Sequence, residues 1–455
     1  MGLLIRNGNL LTAAGRATGD VRCQDGKIVE VGPELEPAGE ELLDAGGRYV
    51  FPGGVDPHVH MALPVAGTVS SDDFETGTAA ALAGGTTTIV DFVHPERGDD
   101  FLEALAARRA EAARAVCDYG LHMAVTWWGD GPRAAIRRCI EAEGVPTFKA
   151  YLAYKATVGI DDGELLEAMT AIAEGGGRLL VHCEHGEAVE LLRARFAAAG
   201  ETAPRFHALS RPPELEGEAT FRAATLAATT GAELYVVHVT CADSAAAVRE
   251  ARQRGWPVRG ETCPQYLLLD DSVYERPGFE GGAFVCAPPI RRRGHQEALW
   301  KALADGVLEA IGTDHCPFTR EQKTIGEHDF RLIPGGLAGV EHRLALVWTH
   351  GVGAGRLSPE RFVDLVSTRP ARLMGLHPRK GELAAGADAD LVVWDPDATG
   401  TISAATHHHR CDHTPYEGFE VRGLPSVVVA GGEVRYRDGE LRVEPGCGRF
   451  LTRAL

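Results

Sequence analysis

The segment YVFPGGVDPHVH, residues 49–60, is a run of apolar residues that ends in two histidines. Neighbouring side chains of a strand point to opposite faces, so the spacing of His58 and His60 puts both imidazoles on one side. Polar side chains at this position are typical of an α/β barrel, where reacting groups project from the carboxyl ends of the strands. The segment therefore predicts the first strand of such a barrel, and it makes His58 and His60 candidate metal ligands that further polar residues must support.

Seven more strand-like runs follow this segment, and amphipathic helical runs separate them. The strand-like runs are TTTIVDFV (86–93), DYGLHMAVTW (118–127), PTFKAYLAY (146–154), RLLVHCE (178–184), ELYVVHVT (233–240), PVRGETCP (257–264) and VLEAIGTDHC (307–316). Expected helix N-caps are Asp100, Asp161 or Asp162, and Asp243 or Ser244. Eight strands that alternate with helices over residues 53–379 predict an α/β protein built on a (β/α)8 barrel of the TIM type.

The two ends of the chain have a different pattern from the middle. Residues 1–52 contain short apolar runs around the turn signal Asp25-Gly26, and residues 380–455 repeat this pattern around Asp438-Gly439. Short runs separated by Asp-Gly are typical of antiparallel hairpins. We therefore expect one small β domain that is assembled from residues 1–52 and 380–455, with the barrel between them.

The composition argues against several classes of function. The 455 residues carry a formal net charge of −18, and binding to nucleic acid or an anionic membrane requires an excess of Lys and Arg instead. No apolar run is long enough to span a membrane, and the start MGLLIRNGNLL lacks the apolar core of a signal peptide. The ten cysteines form no CxxC pair and are expected to be reduced, buried thiols. These features predict a cytoplasmic protein without a nucleic-acid or membrane partner.

Further polar side chains lie in or at the ends of other predicted strands. Their positions are Lys149 in the fourth strand, His182 at the end of the fifth, His238 at the end of the sixth and Asp314 at the end of the eighth. Each has an ordinary structural explanation when it is taken alone, since strand-end histidines are often hydrogen-bonded and Asp314 could serve a turn. Together with His58 and His60 they would converge on one small space, as a metal site requires. Imidazole and carboxylate ligands without a thiolate suit Zn2+, Mn2+, Fe2+, Co2+ or Ni2+ in a hydrolytic centre.

Lys149 is the discordant member of the segment TFKAYLAYK, residues 147–155. A buried ammonium is costly unless it is neutralised or matched by an opposite charge. Four histidines and one aspartate are more than one catalytic metal needs and few for two. If the neutral amine adds carbon dioxide, Lys149 becomes N6-carboxylysine, a carbamate that can bridge two cations. A hydroxide between the cations would then attack the substrate, with Asp314 as metal ligand and general acid/base.

Motifs along the whole chain carry a family resemblance. They include FPGGVDPHVHM, VHCEHGE, RPPELEGEAT, GETCPQYLLLD and GTDHCPF. With these motifs the sequence resembles the amidohydrolase superfamily and, within it, the cyclic amidases: the dihydropyrimidinases and D-hydantoinases. The resemblance implies a barrel with a small β-sandwich from both termini, two divalent metal ions per chain with Zn2+ as first choice, and a homotetramer or homodimer. It also implies hydrolytic ring opening of cyclic amides and imides, such as dihydropyrimidines and 5-substituted hydantoins, to N-carbamoyl amino acids.

The same resemblance implies roles for individual residues. The metal ligands would be His58 and His60 for the buried metal, His182 and His238 for the second metal, Lys149 as the carboxylated bridge, and Asp314 as ligand and general base. Tyr154 is similar to the tyrosine that hydrogen-bonds the substrate carbonyl and its developing oxyanion. The segments CAPPI and IPGGL are similar to two loops whose backbone groups hold the amide edge of the ring. They depart from the common SPP and IPNG patterns at Ala287 and Gly335, which leaves ring preference open.

Three alternatives stay open from the sequence. Allantoinase would use the same metal ligands, and IPGGLAGVE has some likeness to its loops. Dihydroorotase must hold a substrate carboxylate, but MALP follows the HxH pair where its relatives have an arginine. A scaffold protein of the collapsin response mediator type would have lost the ligands that are intact here.

The remaining eye-catching residues are interpreted more plainly. His315, His185 and Glu184 either support the metal ligands or serve packing. The run His407 to His409 and His413 precede the C-terminal strands and are predicted to be surface or interface groups.

Overall fold

Five strands form the N-terminal part of the fold. The computed structural model describes residues 2–455, and these strands are β1 (Gly2–Thr12), β2 (Gly15–Gln24), β3 (Lys27–Gly32), β4 (Glu41–Asp44) and β5 (Tyr49–Pro52). β2 and β3 pair antiparallel around Asp25 and Gly26, whose φ angles are 50° and 77°. Two successive positive φ angles are what a tight two-residue hairpin turn requires, so the predicted Asp-Gly turn is confirmed.

Eight strands form the barrel. They are β6 (Gly54–Asp56) and, after a short hairpin of β7 (Pro64–Val65) and β8 (Thr68–Val69), β9 (Thr86–Val93), β10 (Asp118–Ala124), β11 (Thr147–Tyr151), β12 (Arg178–His182), β13 (Glu233–Val236), β14 (Val258–Thr262) and β15 (Ala310–Ile311). Among the described residues, neighbours in this sheet follow chain order from β6 to β15, and each pair is parallel. All eight lie inside the predicted runs, because a sheet buried on both faces requires near-continuous apolar stretches.

Two backbone hydrogen bonds close the barrel between its first and last strands. Asp314 N donates to His58 O over 2.9 Å, and His60 N donates to His315 O over 2.8 Å. Val59 and His315 form an isolated parallel bridge at the same place. The predicted (β/α)8 barrel is confirmed, and its closure brings the segment after β6 alongside the segment after β15.

Helices alternate with the barrel strands. They are α1 (Phe74–Ala83), α2 (Phe101–Glu111), α3 (Asp130–Glu141), α4 (Asp162–Glu174), α5 (Gly186–Ala198), α6 (Arg205–Leu209), α7 (Pro213–Thr230), α8 (Ala242–Gln253), α9 (Pro264–Leu268), α10 (His295–Ala304), α11 (Arg320–Lys323), α12 (Arg343–Val347), α13 (Pro359–Val363) and α14 (Arg369–Leu373). Short 3-10 helices lie at Ala112–Arg114, Asp271–Glu275, Glu280–Phe284, Thr324–Gly326 and Phe330–Leu332, and π-helical turns at Trp348–Val352 and Asp364–Thr368.

The beginnings of the helices test the predicted caps. Asp100 and Asp161 cap α2 and α4 as predicted. The prediction for α8 was wrong, because its N-cap is Cys241, whose Sγ accepts a hydrogen bond from Ser244 N over 3.5 Å. Asp243 and Ser244 instead lie in the first helical turn, where a negative charge still interacts favourably with the helix dipole.

The chain returns to the first sheet after the barrel. The strands β16 (Leu391–Thr401), β17 (Glu420–Ala430), β18 (Glu433–Arg437) and β19 (Glu440–Leu441) join it, and β16 pairs antiparallel with β5. Over the described residues the order is β19-β18-β17-β16-β5-β1-β2-β3, with β4 beside β1. Both termini therefore build one sheet, as predicted. The domain boundaries at residues 52/53 and 379/380 stay a prediction.

The interior is apolar in both parts. The barrel and its helices share a large cluster of buried side chains that includes Phe148 and Val181, and the terminal sheet has a cluster of its own that includes Val50 and Val429. All ten cysteines are free thiols and nine of them are buried, as predicted. No helix within residues 2–455 is both long and apolar enough to cross a membrane.

Candidate metal centre

Three predicted ligands meet where the barrel closes. The Nε2 atoms of His58 and His60 lie 3.2 Å apart, and Asp314 Oδ1 lies 3.3 Å from the first and 3.1 Å from the second. Both histidines are buried. Lone pairs that face one another in a buried space repel unless a proton or a cation lies between them. The arrangement therefore fits a bound metal ion.

Two more predicted ligands form a pair next to this group. His182 is the last residue of β12, and His238 follows β13. His182 Nδ1 lies 3.0 Å from His238 Nε2, and the rings of His58 and His238 have centroids 5.4 Å apart. The four histidines and the aspartate therefore border one shared space at the carboxyl ends of the strands.

Lys149 lies in the middle of β11 and is buried. Its Nζ lies 5.1 Å from the ring centroids of Phe92 and Tyr151. Burial lowers the pKa of the amine from 10.5 to about 8, so a substantial fraction is neutral in mildly alkaline solution. A neutral amine is the form that adds carbon dioxide. Lys155 differs, because it is partly exposed and donates to Ile160 O over 2.5 Å.

The side chains of the site are held in the protonation states that bind metals. Burial lowers the pKa of His58 and His238 well below 6.5, and it lowers the pKa of His182 as well. Burial alone would raise the pKa of Asp314, but the neighbouring histidines, His58 first, outweigh it and hold the pKa below 3.8. Neutral imidazoles and an ionised carboxylate are the forms that coordinate divalent metals.

Buried carboxylates fix the tautomers of two ligands. Glu261 Oε1 lies 2.6 Å from His58 Nδ1, and the hydroxyl of Tyr235 donates to Glu261 Oε2 over 2.9 Å. Glu184 Oε2 lies 2.7 Å from His182 Nε2. Because a carboxylate accepts, each contact places the proton on that nitrogen and leaves the other nitrogen, which faces the site, with its lone pair.

Two of the residues that support the site, Arg211 and Glu261, were not predicted from the sequence. Arg211 Nη1 donates to Glu184 over 2.5 Å, and its guanidinium lies 5.6 Å from the ring centroid of Tyr154. Arg211 and Glu261 both occur in motifs that carry the family resemblance, but a single sequence does not reveal which buried charges pair. The available signal was a glutamate inside a buried strand, since a charge there needs a partner.

Three residues of the site have left-handed backbone conformations. The φ angles are 60° at Tyr154, 38° at His238 and 52° at Asp314. Non-glycine residues rarely adopt such angles, and the cost is tolerated mainly where the surroundings enforce a functional geometry. Each of the three follows a barrel strand, where the backbone must turn away and still aim its side chain at the site.

The residues predicted to bind substrate form two groups. The ring of Tyr154 has its centroid 5.2 Å from that of His182, so this tyrosine borders the histidine pair. The loops of Ala287 and Gly335 lie side by side: a Cβ atom added to Gly335 would be 3.9 Å from the backbone nitrogen of Ala287. The structure thus brings the two predicted ring-binding loops together.

A buried lysine that sequence reasoning missed connects these loops. Lys323 Nζ donates to Val285 O over 2.8 Å, to Pro334 O over 2.7 Å and to Gly336 O over 2.9 Å. Three acceptors match the three N–H donors of an ammonium. Lys323 therefore fixes the backbone next to Ala287 to the backbone on both sides of Gly335.

His315 points away from the candidate metal centre. Its Nδ1 accepts from the backbone of Gly339 and Val340 over 3.1 and 3.3 Å, and its Nε2 lies 3.3 Å from Asp72 Oδ2. His315 therefore connects the segment after β15 to the backbone at Gly339 and Val340 and to Asp72.

The interpretation of two further histidines as surface or interface groups was wrong. His409 and His413 are 5% and 7% exposed, because the segment between β16 and β17 packs back onto the barrel. His185 is partly exposed, and its Nδ1 lies 3.5 Å from Glu187 Oε2.

Comparison with known proteins places the chain in a family. The model of the amidohydrolase family matches residues 49–435. The chain belongs to the amidohydrolase family. Members of this family generally depend on a binuclear metal centre. The resemblance predicted from the motifs is confirmed.

The relatives of this amidohydrolase are similar over their full length. It is 46% identical to the D-hydantoinase of Geobacillus stearothermophilus, over 99% of this chain and 96% of that protein. It is 43% identical to the D-hydantoinase of Ralstonia pickettii, over 100% and 99%. The crystal structure of dihydropyrimidinase from Brevibacillus agri matches with a TM-score of 0.99 and 42% identity, over 100% of this chain and 99% of that one. These relatives do not favour the allantoinase, dihydroorotase or scaffold alternatives.

Proposed function

We propose that this amidohydrolase opens cyclic amides and imides by hydrolysis, with dihydropyrimidines and 5-substituted hydantoins as substrates and N-carbamoyl amino acids as products. The observation that carries the proposal is the convergence of the predicted ligands, with the buried amine of Lys149, at one end of the barrel. Full-length similarity to two D-hydantoinases and a dihydropyrimidinase supports the substrate class.

The donor atoms of the site suit two divalent metal ions, with Zn2+ as first choice and Mn2+, Co2+, Ni2+ or Fe2+ as others. The ligands would be His58, His60 and Asp314 for one ion, His182 and His238 for the other, and Lys149 for both. Lys149 would bridge as a carbamate, which forms when its amine adds carbon dioxide and releases a proton. Bound metal ions supply an activated water and polarise the substrate carbonyl.

Asp314 would carry the proton of the reaction. Its carboxylate is ionised because the adjacent histidines outweigh the effect of burial on its pKa, so it can accept a proton from the attacking water. The water oxygen forms the new C–O bond to the ring carbonyl carbon. As the C–N bond breaks, Asp314 would give that proton to the leaving nitrogen, and the new carboxylic acid would release its remaining proton to solvent and leave as a carboxylate.

Tyr154 would hold the substrate carbonyl. Burial raises the pKa of its hydroxyl above 10, so the group stays protonated and can donate a hydrogen bond that strengthens as charge develops on the oxygen. The backbone at Ala287 and Gly335 would hold the amide edge of the ring. Backbone groups do this work whatever the side chain is, so the departures at these two positions are compatible with ring binding.

A substrate panel tests the proposed function. The purified protein, loaded with zinc in bicarbonate buffer, is expected to open dihydrouracil or a 5-substituted hydantoin faster than allantoin or dihydroorotate, measured as loss of ring absorbance and formation of the N-carbamoyl product. Hydrolysis of allantoin alone would contradict the proposed substrate class.

We also propose that the protein acts as a homotetramer, or a homodimer, in the cytoplasm, and that residues 1–52 and 380–455 form a domain apart from the barrel of residues 53–379. Sedimentation equilibrium distinguishes the two assemblies. The assembly follows from the family resemblance of the motifs, and the domain division follows from the different patterns of the chain ends and the middle.

A further inference from the structure

A second group of histidines lies outside the candidate metal centre. One ring nitrogen from each of His342, His407 and His409 lies within 4.8 Å of the others. His342 precedes α12, and the other two belong to the segment between β16 and β17. We propose that this group, hereafter the three-histidine site, binds one additional transition-metal ion and fastens the segment between β16 and β17 to the barrel.

The hydrogen bond of His407 leaves one nitrogen free for a metal. His407 Nε2 lies 2.7 Å from Cys411 O. A carbonyl oxygen only accepts, so Nε2 carries the proton and Nδ1 carries the lone pair. That Nδ1 is buried and has no hydrogen-bond partner within residues 2–455. Histidines that bind metals are commonly held in this way, with one nitrogen on a carbonyl and the other on the ion.

The other two histidines also have unused nitrogens. His342 Nε2 and both nitrogens of His409 are buried and lack a hydrogen-bond partner in the described part of the chain. A buried polar atom without a partner destabilises the fold, because it has lost its hydrogen bonds to water. A single cation between the rings would satisfy several of these atoms at once, which no neighbouring side chain of the fold does.

Two carboxylates support the three-histidine site without belonging to it. Asp72 Oδ2 lies 3.9 Å from His409 Nδ1, where it can orient the ring and offset the charge of an ion. Glu341 accepts from His408 N over 2.7 Å and lies 2.8 Å from His408 Nδ1. Because Glu341 precedes His342 in the chain, these contacts hold the histidine run against the start of α12 and pre-form the site.

The donor set indicates the kind of ion. Three imidazoles without a thiolate suit Zn2+, Co2+, Ni2+ or Cu2+, and three protein ligands leave a position open. A cavity of about 420 Å³ is lined by His342 and His407, so water or a small anion can reach that position. His315, whose ring centroid lies 5.8 Å from that of His409, separates the three-histidine site from the candidate metal centre.

Metal analysis of matched variants tests this proposal. Full-length protein is stripped of metal with a chelator, reloaded with Zn2+ and freed of excess metal. Its zinc content per chain is then measured by elemental mass spectrometry. His407→Gln and His409→Gln are each expected to hold one equivalent less per chain than the unchanged protein. His328→Gln is the control, since His328 is exposed and lies outside the group; this variant should hold as much metal as the unchanged protein. The test compares the metal content of each variant with that of the unchanged protein. It therefore does not depend on how many ions the candidate metal centre holds, or on activity.

Anomalous diffraction at the zinc edge gives a second readout. A peak between His342, His407 and His409 is expected in crystals of the reloaded protein. If the loop variants do not fold, His342→Gln removes a ligand from a different element and should show the same loss. Equal metal content in the unchanged protein, His407→Gln and His409→Gln, together with no peak between the three rings, would overturn the proposal.

Discussion

Two lysines six residues apart in one segment show how burial alone changes the chemistry of a side chain. Lys149 is enclosed by the barrel, and burial lowers the pKa of its amine to about 8. Lys155 lies beyond the end of β11, is partly exposed, and its ammonium has a carbonyl partner. The first can therefore become neutral and react with carbon dioxide.

The variant Lys149→Ala tests the bridging role. We expect the candidate metal centre to lose most of its metal, while any ion at the three-histidine site stays, and the activity to fall at least about a hundredfold, because the centre loses the ligand shared by both of its ions. A short carboxylic acid such as propionate should restore part of the activity. Metal analysis and hydantoin hydrolysis measure both effects.

Lys155→Ala is the matched control and should keep both metals and most of the activity. If Lys149→Ala bound as much metal as the unchanged protein, the bridge would be assigned wrongly.

For single residues, the sequence predicted which side chains are candidate metal ligands but not which buried charged residues hydrogen-bond to them. His58, His182 and Asp314 could be predicted as ligands because strand ends can be located from apolar patterns. Glu261 and Arg211 were not found, because the pairing of buried charges depends on side chains that approach from other strands and loops.

At the scale of elements, Lys323 shows how a side chain organises loops that have no regular structure. It lies at the end of α11 and donates to carbonyls of two separate loops. Those loops carry Ala287 and Gly335, so the shape of the proposed ring-binding edge depends on a residue that need not touch the substrate.

Lys323→Met tests this role. Each buried carbonyl left without a donor costs about 1–3 kcal/mol, so the loops should separate and KM should rise roughly tenfold, since 1.4 kcal/mol corresponds to a factor of ten. Metal content should not change, because Lys323 is not among the proposed ligands. Steady-state kinetics on the best substrate of the panel measures KM.

An exposed lysine on α10 supplies the control. Lys301 pairs with Asp305 on the surface, and Lys301→Met should leave KM unchanged. An unchanged KM in Lys323→Met, with the same melting temperature as the unchanged protein, would argue that the loops hold their shape without this lysine.

For the whole molecule, one buried charge cluster joins distant parts of the chain. Lys380 Nζ lies 2.7 Å from Asp118 Oδ2 in β10, 3.0 Å from Asp388 Oδ2 and 2.6 Å from Asp390 Oδ2. Lys27 of the N-terminal sheet lies 2.6 Å from Asp388. The barrel and both parts of the terminal sheet thus share one electrostatic network.

This network predicts how stability depends on pH. The cationic partners, Lys380 first, outweigh burial and hold the pKa of Asp388 below its ordinary value of 3.8. A carboxyl with a depressed folded pKa stabilises the fold above its unfolded pKa and loses that contribution as the pH falls. The carboxylates, with Asp390 first, raise the pKa of Lys380 above 10.5 despite burial, so its contribution is complete below pH 10.5 and is lost as the pH rises through its folded pKa.

Asp388→Asn should therefore destabilise the protein at pH 7 by about 3 kcal/mol, as expected when one partner of a buried ion pair is removed. Between pH 5 and pH 3 the variant should lose less stability than the unchanged protein. Urea unfolding at pH 7, 5 and 3 measures both effects. Parallel stability curves for the two proteins would contradict the role of Asp388.

The sequence by itself determined the barrel and the sheet from both termini, and it predicted the types of residue at the candidate metal centre, because apolar periodicity, Asp-Gly turns and strand-end polar residues are local signals. Only the tertiary structure decided which polar groups meet. The closure between β6 and β15 sets the distances among His58, His60 and Asp314, and chain folding after β16 buries His409. These are contacts between residues far apart in the chain, so their energies depend on packing and burial that no local pattern contains.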